Sequence, residues 1–424
     1  MNWRRLQVYN KENPKTMNPI KIMGAFGLIC GLSLLPVTGG LAQAGPMSTP
    51  EYWQKTAQIH DGTNTMAPEQ VRQINESIQQ RSSSLRDLVS YPAVLTGQQV
   101  QQRVYAAMQD YWRGERPSVY TEGHSLTNEE WMAVRDNCNV DQLPVQINTR
   151  YAVTTQRGNI RLLPSAAVWT NSPDSSLDRL QGTAIDPAQP VVVLADSKDG
   201  NFSYVESSDY QGWIDRDKLA FTDNNTWLSY AKPADFAVVT DHKKTIADAD
   251  GRQALYQMGA VIPCIMDHNG RIALKLPVRT ADGTLAIHNT PAQFDRTLHI
   301  GYLPYSINTV IQQAFLFMGD VYGWGGLEDS VDCSAFVQDV YRSMGIHIPR
   351  DADQQELAMP VQTDNPAKAR SGALIFKPGH VMLYLGLDPN GNPMVIHASS
   401  AYQQVMVARL SDVTSQISSV GSLR

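Results

Sequence analysis

Apolar positions recur at helical spacing early in the chain: Val71, Ile74, Ile78, Leu85 and Leu88 after Pro68, then Val100, Val104 and Met108 after Gly97. That pattern predicts helices with one buried face across residues 45–148. Thr127-Asn128-Glu129-Glu130 ahead of Trp131 offers a capping box for a further helix. From about residue 150 the period shortens. Asn159-Ile160-Arg161-Leu162-Leu163-Pro164, Val191-Val192-Val193-Leu194, Phe202-Ser203-Tyr204-Val205 behind the Asp199-Gly200 turn, and Gly212-Trp213-Ile214 read as short strands. Their spacing fits a small β-barrel over 149–225. A second set (236–239, 260–263, 272–276 after Asn269-Gly270, and 285–287 after Asp282-Gly283) predicts another barrel over 226–300.

Beyond residue 305 an apolar helical run over 307–317 leads into the Gly-rich turn Val321-Tyr322-Gly323-Trp324-Gly325-Gly326. A second helix follows, with Phe336, Val337, Val340, Tyr341 and Met344 as its stripe and Gly345 as its stop. Gly379-His380-Val381-Met382-Leu383-Tyr384-Leu385-Gly386 and Met394-Val395-Ile396-His397-Ala398 then read as strands. The fold class predicted is multidomain α+β: a helical N-terminal segment, two small barrels and a C-terminal α+β domain over 301–424.

Charge and targeting signals narrow the functional classes. The first 44 residues carry Arg4, Arg5, Lys11, Lys15 and Lys21 against a single Glu12, ahead of an apolar run from Ile22 to Leu35. That is the profile of a signal peptide, and Ala42-Gln43-Ala44 before Gly45 is the small-x-small pattern of a cleavage site. The apolar run is too short for a stable bilayer span. The basic stretch before Met17 is atypical of such leaders, which makes Met17 an alternative start; Ile29 is too large to precede a lipid-modified Cys30. An exported chain, periplasmic or secreted, is expected, with no stable membrane insertion once the leader is removed. Taking the five basic residues and one acidic residue of that segment from totals of 35 and 41 leaves 30 against 40, a formal −10. Nucleic acid is therefore excluded as a partner, since its binding rests on clustered cations. A monomer is expected.

Cys138, Cys264 and Cys333 remain after the leader, an odd number for an exported protein, so at least one thiol is free. Buried cysteines acting as small hydrophobes are one reading, and a Cys138–Cys264 disulfide is another. Cys333 differs from the others in its setting. Asp332-Cys333-Ser334 opens a helix, where unpaired N–H groups and the positive dipole end favour the thiolate that acts as nucleophile. His380 and His397 each sit at a strand terminus downstream. A cysteine on a helix facing a histidine on a neighbouring sheet is the papain-like way of assembling nucleophile and base. Paired Cys/His ligands at short spacing are absent, so no metal is expected, and no cofactor. The Gly-rich turn lacks the Gly-Lys-Ser/Thr ending of a phosphate loop.

Two resemblances add to this. The stretch from Asn159-Ile160-Arg161 to Gly212-Trp213-Ile214 resembles bacterial Src-homology-3 domains. The run Y-G-W-G-G-x6-D-C-S, then Ile348-Pro349-Arg350, G-H-V-M-L-Y-L-G and I-H-A, resembles the NlpC/p-sixty family of cell-wall peptidases over about 305–424. That resemblance implies Cys333 as nucleophile, His380 as base, His397 as the polar residue orienting it, Tyr322 in oxyanion stabilisation, and Asp332 and Ser334 in binding substrate polar groups. Ala352 departs from the Ser or Thr that many relatives carry there.

The order of a helical segment, two barrels and a peptidase is similar to γ-D-glutamyl-L-diamino acid endopeptidases. It implies hydrolysis of peptidoglycan stem peptides between D-Glu and meso-diaminopimelate or Lys, with a free N-terminal L-Ala. A carboxylate and an aromatic from 150–220 should then face Cys333, with Tyr210 as the candidate aromatic; a surface turn residue is the other reading of Tyr210. Two further functions fit the same residues: a non-catalytic wall-binding protein, and an amidase or acyltransferase using the same cysteine.

Overall fold

The structure, a computed structural model, describes residues 45–61, 65–112, 118–266 and 270–424. The expected leader, 1–44, lies outside the described residues.

Four helices occupy the first part of the chain: α1 (Pro50–Asp61), α2 (Pro68–Arg81), α3 (Gly97–Trp112) and α4 (Asn128–Asn137). The capping box of α4 forms as its sequence predicts, Glu130 N–H donating to Thr127 Oγ1 (3.2 Å) and Thr127 N–H to Glu130 Oε2 (2.8 Å). These helices divide between two cores. Trp53, Ala57, Ile74 and Ile78 from α1 and α2 join the core of the C-terminal domain, with Val310, Phe336 and Val340. Val100, Val104 and Trp131 from α3 and α4 instead pack with Trp169, Tyr204 and Trp213 of the first barrel. Each large apolar side chain buried in this way stabilises the fold by about 1.5–3 kcal/mol.

The first barrel holds β1 (Arg150–Thr154), β2 (Gly158–Arg161), β3 (Gln181–Ile185), β4 (Pro190–Asp196), β5 (Phe202–Glu206), β6 (Gln211–Asp215) and β7 (Leu219–Thr222). Their order in the sheet is β7-β1-β4-β5-β6-β2-β3. The two motifs that suggested the barrel pair directly, Trp213 opposite Arg161. After α5 (Asn224–Ala231) comes a second β unit of β8 (Phe236–Val239), a hairpin of β9 (Lys243–Ala247) and β10 (Gln253–Gln257), then β11 (Val261–Met266), β12 (Ile272–Arg279), β13 (Leu285–Pro291) and β14 (Leu298–Ile300). Its sheet runs β13-β12-β11-β8-β14. Cys138 and Cys264 are both free and lie in separate cores, which removes the disulfide alternative.

The C-terminal domain packs α6 (Ile307–Phe315), α7 (Cys333–Arg342) and α8 (Ala352–Ala358) on an antiparallel sheet. Its strands are β15 (Val361–Thr363), β16 (Leu374–Lys377), β17 (His380–Leu387), β18 (Pro393–Ser399), β19 (Gln404–Arg409) and β20 (Ser419–Ser422), ordered β15-β20-β16-β17-β18-β19. Helix α7 lies across β17 and β18, the two strands that carry the histidines.

Candidate active site

The sequence D-C-S places a good N-cap immediately before the cysteine. Asp332 Oδ1 accepts from the N–H of Ala335 (2.8 Å), which starts α7 at Cys333. The buried face of α7 then seats the sulfur against β17, where the N–H of Val381 points at it. His380, the residue before Val381, heads β17 and is buried, as is His397 on β18. His380 Nε2 and His397 Nδ1 are 2.8 Å apart. The two imidazoles meet edge to face, with ring centres 5.0 Å apart. The structure thus packs α7, which begins at Cys333, on the two strands whose histidines meet one another.

The electrostatics of the sulfur differ from the sequence expectation. A helix N-terminus is present, but burial, and after it the Asp332 carboxylate alongside, pushes the Cys333 thiol up to about 12. The N–H groups of Val381 and Ser334 and the charge of Arg350 work in the opposite direction and lose. Burial, reinforced by His397 and Lys377, moves His380 down to about 3, and burial with Lys377 moves His397 down to about 4. Burial thus favours the neutral form of the Cys333 thiol and of the His380 imidazole alike, against the thiolate that the helix end favours.

Asp332 and Ser334 are engaged within the protein. Asp332 receives Arg350 in a two-pronged contact, Nη1 to Oδ1 at 3.1 Å and Nη2 to Oδ2 at 2.7 Å, and its Oδ2 also accepts from Gly325 N–H at 2.9 Å. The Ser334 hydroxyl donates to Asp332 Oδ1 (3.1 Å) and accepts from Arg350 Nη1 (2.9 Å). Burial opposes the charge on Asp332, but Arg350 and these N–H donors outweigh it and hold the carboxyl below its usual range. The two residues expected to contact substrate therefore form an internal scaffold in this structure.

Tyr322 is half-buried and packs against the core that contains Cys333. Its own N–H donates to Gln403 O (3.0 Å), and the following Gly323 N–H to Val331 O (2.9 Å), so the turn is pinned beside the start of α7. The first barrel covers this turn. Gln181 Nε2 donates to Gly325 O at 2.8 Å and Trp324 Nε1 to Asp178 O at 3.0 Å. A Cβ at Gly325, whose φ is +57°, would lie 2.6 Å from Gln181 Cγ, so the close approach of turn and barrel requires glycine there.

Tyr210 of the barrel is half-buried rather than a surface turn residue, and its hydroxyl is raised well above its ordinary range by burial, then by Asp351. Arg350, Asp332 and Asp209 also act on it, which sets it against the charged groups behind the sulfur. Its ring fills the space over Gly182, where a Cβ would sit 2.5 Å from Tyr210 Cε1. Asp209, a carboxylate within the expected 150–220 range, accepts from Gln338 Nε2 of α7 at 2.8 Å. Burial pushes the Asp351 carboxyl up to about 7, against the pull of Arg350.

Among the described residues one cluster has the donor set and spacing of a metal site: Asp248 and Asp250 in the β9–β10 turn with His288 of β13. Arg252 pairs with both carboxylates (3.4 and 3.1 Å). None of the three is part of the core around Cys333. Sequence reasoning passed over Arg350, Asp351, Gln181 and Thr183. Arg350 stood in the Ile-Pro-Arg motif, whereas Gln181 and Thr183 carried no signal, being ordinary strand residues until the barrel is docked.

The profile of the NlpC/P60 family matches residues 319–424, and that of an SH3 domain (SH3b1 type) matches residues 168–215. The chain is 32% identical over 123 residues to dipeptidyl-peptidase 6 of Lysinibacillus sphaericus, covering 27% of this chain and 43% of the relative. It is 27% identical over 192 residues to γ-D-glutamyl-L-lysine dipeptidyl-peptidase of Bacillus subtilis (strain 168), covering 42% and 57%. The matched region thus spans about half the length of these curated relatives. In fold it resembles an NlpC/P60 endopeptidase from Photobacterium damselae subsp. piscicida, with a TM-score of 0.65 at 16% identity, over 88% of this chain and 96% of that one. Among the described residues no helix is long and apolar enough to cross a membrane. With Cys333, His380 and His397 gathered on one helix and two strands inside the matched segment, residues 319–424 are a domain of the NlpC/P60 family, preceded by an SH3 domain of the SH3b1 type.

Proposed function

We propose that this protein is an exported cysteine peptidase that cuts peptidoglycan stem peptides at the bond between the γ-carboxyl of D-Glu and the diamino acid that follows. The observation that carries the reading is the placement of Cys333 at the head of α7, packed on β17 and β18, the strands on which His380 Nε2 and His397 Nδ1 lie 2.8 Å apart. The name of the Bacillus subtilis relative, a γ-D-glutamyl-L-lysine dipeptidyl-peptidase, supports the class of bond.

In this mechanism His380 Nε2–H donates to His397 Nδ1, which leaves Nδ1 of His380 as the base for the thiol. The proton moves from sulfur to imidazole as the sulfur attacks the γ-glutamyl carbonyl. Because thiol and imidazole both rest neutral, charge separates only as the transition state forms. Tyr322 and the N–H groups at the start of α7 stabilise the oxyanion. The imidazolium then protonates the leaving amine, and water, deprotonated by His380, hydrolyses the thioester. Tyr210, Asp209 and Asp351 supply the aromatic and carboxylate surroundings that a free N-terminal ammonium needs when it leaves water.

Defined stem peptides, with Lys or meso-diaminopimelate at the third position and with the N-terminal Ala free or acetylated, test the reading by mass spectrometry. The expected products are L-Ala-γ-D-Glu and the remaining peptide, from the free-amine substrates only. Cleavage at another bond, or equal rates on acetylated peptides, contradicts it.

A further inference from the structure

Strand β3 of the first barrel meets the peptidase domain at two points, and those two points are joined inside that domain. At the first, Gln181 Nε2 donates to Gly325 O (2.8 Å). At the second, Arg350 Nε donates to Thr183 Oγ1 (2.7 Å). Asp332 links them, since its Oδ2 accepts from Gly325 N–H (2.9 Å) and from Arg350 Nη2 (2.7 Å). The result is a closed ring, Gln181 to Gly325 to Asp332 to Arg350 to Thr183, returning along β3. Its four side chains are 3–6% exposed, too little for water to replace a lost partner. In such surroundings each member depends on the rest, because an orphaned buried polar group carries its full desolvation cost.

Two parts of the proposed machinery are fixed to this ring. Asp332 Oδ1 caps the helix whose first residue is Cys333. Gly325 anchors the turn that carries Tyr322, a turn held further by Arg157 Nη2 on Gly326 O (3.1 Å) and by Trp324 on Asp178 O (3.0 Å). The side-chain hydrogen bonds of Gln181 and Thr183 reach neither the sulfur nor the histidines, so their effect on chemistry is assigned to the ring.

We infer that Gln181 and Thr183 are positioning residues for the Cys333 reaction, an inference that rests on the peptidase reading above. The barrel holds the nucleophile helix and the Tyr322 turn in register with each other, in addition to any contact it makes with substrate. A barrel that only lined the cleft would act on substrate binding and hence on KM. A barrel that closes the ring acts on the geometry of attack and hence on kcat, where a displacement of about 1 Å costs on the order of 100-fold.

The test compares the full chain with Thr183→Val, Thr183→Ser, Gln181→Met and the Thr183→Val/Gln181→Met double variant. Stem-peptide kinetics, thermal midpoint and the rate of Cys333 alkylation by chloroacetamide are measured, with Cys138 and Cys264 as internal references. The expected result is a kcat lower by about 10-fold or more in Thr183→Val and Gln181→Met with KM within about 2-fold, near-parent kcat in Thr183→Ser, and altered alkylation at Cys333 alone. Should Thr183→Val fail to fold, Gln181→Met breaks the ring at its other crossing and decides alone. A KM effect with kcat intact, or a lower midpoint with kinetics and alkylation unchanged, overturns the inference. If the parent cuts no stem peptide the peptidase reading fails, and the alkylation rates still report whether the ring positions the sulfur.

Discussion

His380 Nε2 lies 2.8 Å from His397 Nδ1, and the Nε2 of His397 is buried without a hydrogen-bond partner. In the proposed mechanism the second imidazole serves the first as an acceptor that fixes its tautomer and its ring plane. Replacing His397 by Ala should lower kcat by roughly 100-fold or more, within the range that positioned acid–base groups contribute. His397→Gln, which retains an acceptor, should keep distinctly more activity than Ala. Equal losses in the two variants would mean that His397 acts by something other than accepting from His380.

The depressed position of His380, about 3, sets the acid limb of kcat. An imidazole in water titrates near 6.5 and a thiolate–imidazolium pair depends on its protonated form. Here the neutral base persists to lower pH, so kcat should hold below pH 6 and fall only as the pH approaches 3. Alkylation of Cys333 should keep rising into the alkaline range, because its thiol is pushed up to about 12. A kcat limb at 6.5 or above, or an alkylation rate level from pH 5 to 9, would contradict the neutral resting pair.

Asp351 moves the other way, to about 7, through burial. Only the ionised carboxylate attracts an ammonium, so KM for peptides with a free N-terminus should rise as pH falls through 7, while kcat stays level. Asp351→Asn should raise KM by about 10-fold or more at pH 8 and flatten its pH dependence, because a desolvated ammonium loses its counter-charge. Steady-state kinetics between pH 5 and 8.5 separate the two parameters; an unchanged KM in the Asn variant removes Asp351 from amine recognition.

Arg350 is buried on Asp332 and Thr183, which gives its removal a large expected cost. Arg350→Met leaves the Asp332 carboxylate uncompensated in the interior and should destabilise the protein by about 3–5 kcal/mol, the range found when one partner of a buried ion pair is deleted. The companion Arg350→Met/Asp332→Asn should recover part of that loss. Urea denaturation reads both values, and a loss under about 1 kcal/mol in the single variant would place the pair in contact with water.

Much of the peptidase domain was legible in the sequence because its signals are local. The D-C-S start shows an N-cap, the stripe from Phe336 to Met344 shows a buried helix face, and the run that begins at His380 and the run that ends at His397 show strands. The first barrel was legible for the same reason, as the pairing of Arg161 with Trp213 illustrates. What could not be read was the partner of each face. The stripe Val71, Ile74, Ile78 announces an amphipathic helix, but not that Ile74 and Ile78 would be buried with Phe336 rather than within a separate helical core. Gln181 and Thr183 acquire their contacts only when the barrel is docked on the Gly-rich turn.

The expectation of a thiolate at Cys333 rested on the helix end alone. The competing effects, burial and the Asp332 charge, arise from tertiary packing that a local reading does not contain.

The account's central claim is that the Cys333 sulfur, served by His380, attacks the substrate. The most direct measurement is hydrolysis of a free-amine stem peptide by Cys333→Ala alongside its thermal midpoint. The predicted result is loss of hydrolysis to the uncatalysed background with the midpoint within a few degrees of the parent; hydrolysis at the parental rate in that folded variant would contradict the claim.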